Sequence, residues 1–525
     1  MAEIATAAAG VYAVDAANAA AEGEREPPAA VAPQPAPTAG DDDGYDSNME
    51  LAEEQDDGQA PPTVPGWSKD NDFAIPQRTK SQATGRDGPR LNLPDYETKG
   101  IYEYAKLFLP KEYFKELSKA MAANGAKRYN AGKGDIHYKN WTVTEDDVHQ
   151  WIGVWMYMLA FPQHGSRETY FQPPKGGFGP AHDLKAWLKA GQPQSGDRGI
   201  RWFNQMQACF ELPTYGRAND KFNRTRRFWE ALRDAFFAAA VCSWIMCLDE
   251  SMIKWLGRGM PGFMCVLRKP TPKGLELHTL CCAICGILIW FEVYEGKEAM
   301  STKEYCAMYA KSVALTLRMV KKFATAGIGR VVVADSWFGS VACALALFKI
   351  GIFCVMNVKT GHTNFPKQTM LNELGYDAKT GFCPKDTRGQ HTGWVQDFTV
   401  GTKTCTLLAA GLNQKKPMLL VSTAGTLMAV EDYVKHWTVQ DEQGNISTLV
   451  TRHAMTEVHG LFHEYFHIVD DHNQLRQGQV SMADVWETRD WAHRHFAEGL
   501  GLWEVLSSLA YMHVYMRTLH DMYMT

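Results

Sequence analysis

The sequence predicts an α/β fold: a mixed β-sheet core carrying an inserted domain, preceded by a mostly helical region and a disordered acidic tail. Three observations predict it. Residues 1–75 hold 16 acidic and 2 basic side chains with almost no large apolar ones. Between residues 76 and 240, apolar and aromatic residues recur at helical spacing. From Cys242 onward the texture changes to short β-prone runs divided by turn residues, with helical stretches between them.

The tail, residues 1–75, includes Asp41-Asp42-Asp43 and Glu53-Glu54-Gln55-Asp56-Asp57 and lacks the apolar surface needed to offset the entropy of folding. Its net charge is −14, so the other 450 residues carry +9 of the chain's −5. A mildly basic body is compatible with phosphate binding without being diagnostic of it. In residues 76–240, Ile101 to Ala123 and Glu145 to Ala160 read as core-facing helices, the second with Thr144 as its N-cap, and Asn223 to Ala240 reads as a third. Gly/Pro clusters at Pro173-Pro174-Lys175-Gly176-Gly177 and Gln192-Pro193-Gln194-Ser195-Gly196 interrupt them.

Strand-like runs follow at Ser243–Leu248, Met264–Leu267, Glu276–Cys285, Leu288–Tyr294 and Val331–Ala334, with a helix from Thr302 to Ala324. Taking Met264–Leu267 as a minor piece, a second helix at Ser340–Lys349 and a strand at Ile352–Val358 complete a β-β-β-α-β-α-β order. That order is RNase H-like. The expected divisions are 76–240 helical, 241–370 as the first part of the core, 371–450 as an inserted β-rich domain, and 451–525 as the closing helices.

Several classes are excluded. No Lys or Arg precedes Arg25 and no continuous apolar core follows, so the amino terminus does not read as a secretory signal. The longest apolar run, Leu280 to Phe291, falls short of the ~20 residues of a membrane-spanning helix, and no membrane partner is expected. The 12 cysteines form no framework, and Cys282-Ala-Ile-Cys285 has no second pair at zinc-finger spacing, so these read as buried strand thiols suited to a reducing compartment.

Chemistry concentrates in three acids. Asp249 closes the apolar run Trp244-Ile-Met-Cys-Leu-Asp-Glu250, and Asp335 closes Val331-Val-Val-Ala-Asp-Ser-Trp-Phe338. A single carboxylate after a strand is most often a turn former or helix N-cap, but two at two strand ends in this order make a site. A third acid is expected on a downstream helix packed against the sheet; in Val469-Asp470-Asp471-His472-Asn473-Gln474 the choice is Asp470. Hard divalent cations take oxygen ligands, so Asp249, Asp335 and Asp470 are the expected holders of two Mg²⁺ or Mn²⁺ ions, a pair suited to displacement at phosphorus. Glu250 points to the opposite strand face and is assigned no metal.

From about residue 100 to 515 the chain resembles the piggyBac transposase family. The segment Leu248-Asp-Glu-Ser-Met-Ile-Lys-Trp-Leu-Gly-Arg258 is similar to its first-aspartate motif, and Arg268-Lys269-Pro270-Thr271-Pro272-Lys273-Gly274 to the element that follows. Tyr294-Glu295-Gly296-Lys297, Asp335-Ser-Trp-Phe338, Asn357 to Pro366, Lys416 to Thr423, and Tyr465 to Asp470 with Asn473-Gln474 continue the likeness in order, and Trp491 to Met512 resembles the closing helix. The chain departs from the pattern at His467-Ile468, where the family carries Gly-Gly, at Asn473, where it carries a fourth acid, and at Ser336, where it carries Asn.

The resemblance implies a nuclear, metal-dependent DNA transposase that nicks a transposon end, forms a hairpin and transfers the strand into a TTAA target. Double-stranded DNA and a second copy of the chain are the implied partners. Lys254, Arg258, Lys269, Lys273 and Lys359 are the candidate phosphate contacts, and Trp255 and Trp337 could stack on bases or pack in the core. Two other readings fit the residues: a decayed or domesticated relative that binds DNA without cutting it, and a general RNase H-like nuclease.

Overall fold

A computed structural model describes residues 66–524 except 77, 79–89, 96–98, 133–140, 163–165, 173–183, 185–187, 189–198, 216–218, 268, 325–328, 360–363, 441–445 and 479–480. Most of the acidic tail, both Gly/Pro clusters, Arg268 and part of the stretch from Asn357 to Pro366 therefore lie outside the described residues.

Helices dominate the first half. Glu145–Ala160 starts where expected, because Thr144 and Asp147 form a reciprocal capping box: the Thr144 hydroxyl accepts from the Asp147 amide while the Asp147 carboxylate accepts from the Thr144 amide at 2.8 Å. The expected helix from Ile101 to Ala123 is two, Ile101–Leu107 and Lys111–Asn130, because Pro110 has no N–H to continue the first. Ile200–Cys209 and Arg226–Ala239 follow.

In chain order the strands are β1 (Ser68–Lys69), β2 (Arg90–Leu91), β3 (Ala240–Val241), β4 (Ile245–Lys254), β5 (Phe263–Cys265), β6 (Lys273–Cys282) and β7 (Leu288–Val293). Then come β8 (Val331–Ala334), β9 (Phe353–Asn357), β10 (His391–Val400), β11 (Lys403–Leu412), β12 (Met418–Ser422), β13 (Ala429–Gln440) and β14 (Ile446–Thr456). The central order β7-β6-β4-β8-β9, with β4, β8 and β9 parallel and the others antiparallel, is the RNase H-like arrangement. The minor piece β5 adds to the outer edge of β6 beyond the end of β7.

Three expectations change. The helix expected over Thr302–Ala324 begins only at Lys311, as Lys311–Val320, after a short helix Lys297–Ser301 and a turn with Tyr305 at φ 71°. The region 371–450 does not form a sheet of its own: β10, β11 and β12 extend the main sheet through β9, and only the β13–β14 hairpin stands apart. The tail ends earlier than expected, because residues 66–76 are a strap on the sheet edge. There β1 pairs with β10, the Trp67 indole donates to the Asn364 carbonyl at 3.1 Å, and Trp67 and Phe73 are buried in the core. Two aromatic residues in an acidic stretch were the signal.

One continuous hydrophobic core joins the sheet, the early helices and the closing helix. The Trp155 and Trp486 rings stack at 4.6 Å, and the Trp503 indole donates to the Ala105 carbonyl at 2.7 Å. No described helix is long and apolar enough to cross a membrane. Because Trp67 fills a closed site, Trp67→Ala is expected to cost about 3 kcal/mol. Chemical denaturation of the variant beside the wild type checks this.

Candidate active site

The strand β4 begins as an apolar run, Ile245-Met-Cys-Leu, buried on both faces, as a central parallel strand must be. Its partner β8, Val331-Val-Val-Ala, is buried throughout. The two pair in parallel register up to Leu248 opposite Ala334. The next residue on each strand is an aspartate, so Asp249 and Asp335 sit side by side, with backbones about 5 Å apart. Alternation puts both on the face of Cys247 and Val333.

Past this point the strands diverge. The expected end of β4 at Asp249 is not observed: the strand runs on to Lys254 against β6, while β8 stops. At Asp335 the chain turns. Its carboxylate accepts from the Trp337 amide at 2.9 Å and its carbonyl accepts from the Phe338 and Gly339 amides, each at 3.2 Å. A Cβ on Gly339 would meet the Asn357 carbonyl oxygen at 1.7 Å, so only glycine lets this turn press on the end of β9. Ser340 then caps the helix Val341–Lys349 by accepting from the Cys343 amide at 3.1 Å.

Asp470 arrives from far along the chain, on the helix Ile468–Gln477. Val469, His472 and Arg476 form its buried face. The helix starts over Cys247, whose thiol donates to the Phe466 carbonyl at 3.4 Å, and ends at Met252, whose carbonyl accepts from Gln477 at 2.6 Å and Arg476 at 3.0 Å. It therefore lies along the stretch of β4 that β8 has left uncovered. Interpolating between those anchors sets Asp470 level with Asp249, on the helix flank that also carries Asn473 and Gln477.

Burial, then Asp249 and Asp470 together, push the Cys247 thiol up, which places both carboxylates within electrostatic reach of one sulfur. Asp470 and Asp471 are solvent-exposed, and Asp471 pairs with His467 at 3.3 Å. Among the described residues, no group of three or more His, Cys, Asp or Glu side chains closes to metal-ion spacing. The structure brings Asp249 and Asp335 into one pair and Asp470 beside it, without closing a three-acid cluster.

Burial, and after it the neighbouring Asp335, raise the Asp249 carboxyl to about 7, with Lys269 opposing. The donor chemistry fits a hard cation: two adjacent carboxylates, one poorly solvated, next to an exposed third. Because the folded value lies above the ordinary one, Asp249 favours the fold at low pH, and this contribution is lost as pH rises from about 4 through 7.

The candidate phosphate contacts divide. Lys269 is committed to Glu250, with Nζ 3.1 Å from the carboxylate and 3.4 Å from the carbonyl oxygen. Lys254, Arg258, Lys273 and Lys359 are exposed. Trp255 is buried and unavailable for base stacking. His495 is buried, accepting at Nδ1 from the Trp229 indole at 3.2 Å, and burial lowers it to about 3, so it is a core histidine. Cys282 and Cys285 are free and buried.

Sequence reasoning missed what lies behind the acids. On the opposite face of β4 and β6, Glu250, His278 and Glu276 are buried together, with His278 2.9 Å from Glu276. The Trp337 ring stacks on His278 at 5.8 Å and 22°. Beyond them Arg318 clamps Glu292 through two bonds of 2.8 and 2.9 Å. Alternating Glu276 and His278 within an otherwise apolar strand was the available signal.

The profile of a family described as transposase IS4 matches residues 102–502. The chain belongs to the IS4 transposase family. Among solved structures this transposase-family chain is similar to one described as "piggyBac transposase synaptic complex with hairpin DNA", determined by electron cryomicroscopy. The match has a TM-score of 0.56 and 15% identity, covering 82% of this chain and 78% of that one, a likeness of fold. None of the curated proteins compared with the chain matches it.

Two expectations follow for this family member. Ser340→Ala should lower stability by about 1 kcal/mol, measured by urea titration. The gain in melting temperature of Asp249→Asn over wild type should grow between pH 5 and pH 8 in metal-free buffer. A gain that stays flat with pH would contradict the raised carboxyl.

Proposed function

We propose that the chain is a piggyBac-type DNA transposase whose reaction centre is Asp249, Asp335 and Asp470. The observation that carries this is the register of β4 and β8, which sets two acids side by side at the point where a third is delivered by the helix Ile468–Gln477. Two adjacent carboxylates, one of them largely buried and opposed only by Lys269, favour a further opposite charge bound to both. Divalent cations held by these acids would supply Lewis-acid stabilisation of a phosphate and activation of a water or 3′-hydroxyl.

The chain's own residues orient that chemistry. The Trp337 amide fixes the Asp335 carboxylate, and the exposed flank of the helix leaves Asp470 free to swing toward the pair. Double-stranded DNA is the proposed substrate, with transposon ends and a target as its two roles and a second copy of the chain to bring two ends together. The basic side chains Lys254, Arg258, Lys273 and Lys359 would neutralise phosphates around the cut.

The second reading is a relative that binds DNA without cleaving it. It is favoured by Asn473, the residue beside Asp470 on the same flank, whose amide oxygen is engaged by Arg476 at 3.5 Å. The full chain with Mg²⁺ or Mn²⁺ and a labelled transposon-end duplex distinguishes the two. Nicked and hairpin products are expected, falling at least 100-fold in Asp335→Ala with duplex affinity retained. Binding without any product from the wild type overturns the catalytic reading and leaves the second.

A further inference from the structure

The far end of β4 and β6 combines features that the three acids do not use. Residues 254–274 contain five basic and no acidic side chains. Within that stretch Leu256 is 75% exposed, Leu267 85% and Phe263 45%, although isolated exposed leucines are ordinary only when scattered among polar neighbours. The strand register puts them together. Lys254 pairs with Gly274 from one side of β6 and Met264 pairs with it from the other, so the chain leaves β4 at Leu256 and β5 toward Leu267 at the same end of the sheet.

This rim is rigid. The Trp255 amide donates to the Lys273 carbonyl at 3.0 Å, the Val266 amide to the Pro272 carbonyl at 2.7 Å, and the Lys269 amide to the Val266 carbonyl at 3.0 Å. Gly274, at φ 155°, lies so close to β4 that a Cβ would meet the Ile253 carbonyl oxygen at 1.8 Å. Leu256 and Leu267 are thus held into solvent on a hydrogen-bonded frame, two strand spacings or about 10 Å apart. Lys254 and Lys273, at the ends of β4 and β6 beside them, and Arg258 are all exposed.

We propose that this rim is a DNA-deforming wedge: Leu256 and Leu267 press between base steps of the bound duplex while Lys254, Arg258 and Lys273 hold the flanking phosphates. The proposal rests on the reading of DNA as substrate. Apolar side chains set among cations suit a nucleic acid better than a protein face, because phosphates satisfy every charge and unstacked bases accept the leucines. Leu256 is seven residues beyond Asp249, the first five of them in β4, and so at most about 23 Å away. At about 3.4 Å per base pair, a duplex cut at the acids would meet the rim within about seven base pairs of the cut.

The test uses the full chain and a transposon-end duplex carrying 2-aminopurine within about seven base pairs of the cleavage point, without metal. Wild type is expected to raise the 2-aminopurine fluorescence at least twofold. The double variant Leu256→Ser/Leu267→Ser should bind the duplex within about threefold of wild type, keep its melting temperature, and lose the rise. The triple variant Lys254→Ala/Arg258→Ala/Lys273→Ala should instead lose at least tenfold in affinity and show a shallower dependence on salt.

A full rise in the leucine variant overturns the wedge, as does a wild type that binds with no rise. A leucine variant that only changes its oligomeric state, by light scattering, assigns the rim to a protein contact and also overturns it. Absence of any duplex binding by wild type overturns the DNA reading itself, an outcome separate from the other three.

Discussion

The parallel pairing of β4 with β8 is the constraint on which the site depends. Hydrogen bonds between Ile245–Leu248 and Val331–Ala334 fix the register one residue before each aspartate. A slip of one residue would turn one carboxylate to the far face of the sheet, because side chains alternate with a period of two. The apolar runs that precede the acids, Ile-Met-Cys-Leu and Val-Val-Val-Ala, specify this register by needing burial on both faces. Hydrophobic burial thus positions charged groups that burial itself disfavours.

That conflict has a structural remedy on each side. In front, β8 ends at Ala334 and leaves the second half of β4 open on one edge, so the acid pair adjoins solvent and the exposed Asp470. Behind, the sheet carries compensated charge: Glu250 with Lys269, Glu276 with His278, and Glu292 with Arg318 and Lys303. Burial opposes the charge on His278, but Glu276, Glu250 and Glu292 outweigh it and raise the imidazole. The paired acids behind the sheet are neutralised from within the chain. In front, Asp249 is opposed by Lys269 alone, which is itself bonded to Glu250, and the cations proposed above would complete that balance.

Much of this was legible in the residues. Val331–Ala334 and the capped helix Glu145–Ala160 are observed with the expected limits, since an apolar run between turns and a Thr-x-x-Asp box are local signals. The end of β4 was not legible. Asp249 reads as a strand terminus because polarity rises there, yet Ser251 and Ile253 remain buried and Glu250 is paired by Lys269, a contact that spans 19 residues. The three strands after residue 390 read as a separate unit for a similar reason. Their membership of the main sheet is set by the pairing of β12 with β9, and that pairing leaves no mark in the local pattern.

The site acids illustrate the same division. Asp249 and Asp335 were recognisable because each follows its own apolar run, and the register that unites them is the simplest one for parallel neighbours. Asp470 was recognisable by type and distance but not by placement, since its position depends on contacts made by other residues: Cys247 with Phe466, and Arg476 and Gln477 with Met252. Those anchors fix the helix axis and leave Asp470 on its exposed flank. The third acid is therefore held less tightly than the first two. In the proposed centre the strand pair would then supply rigidity and the helix flank the adjustable group.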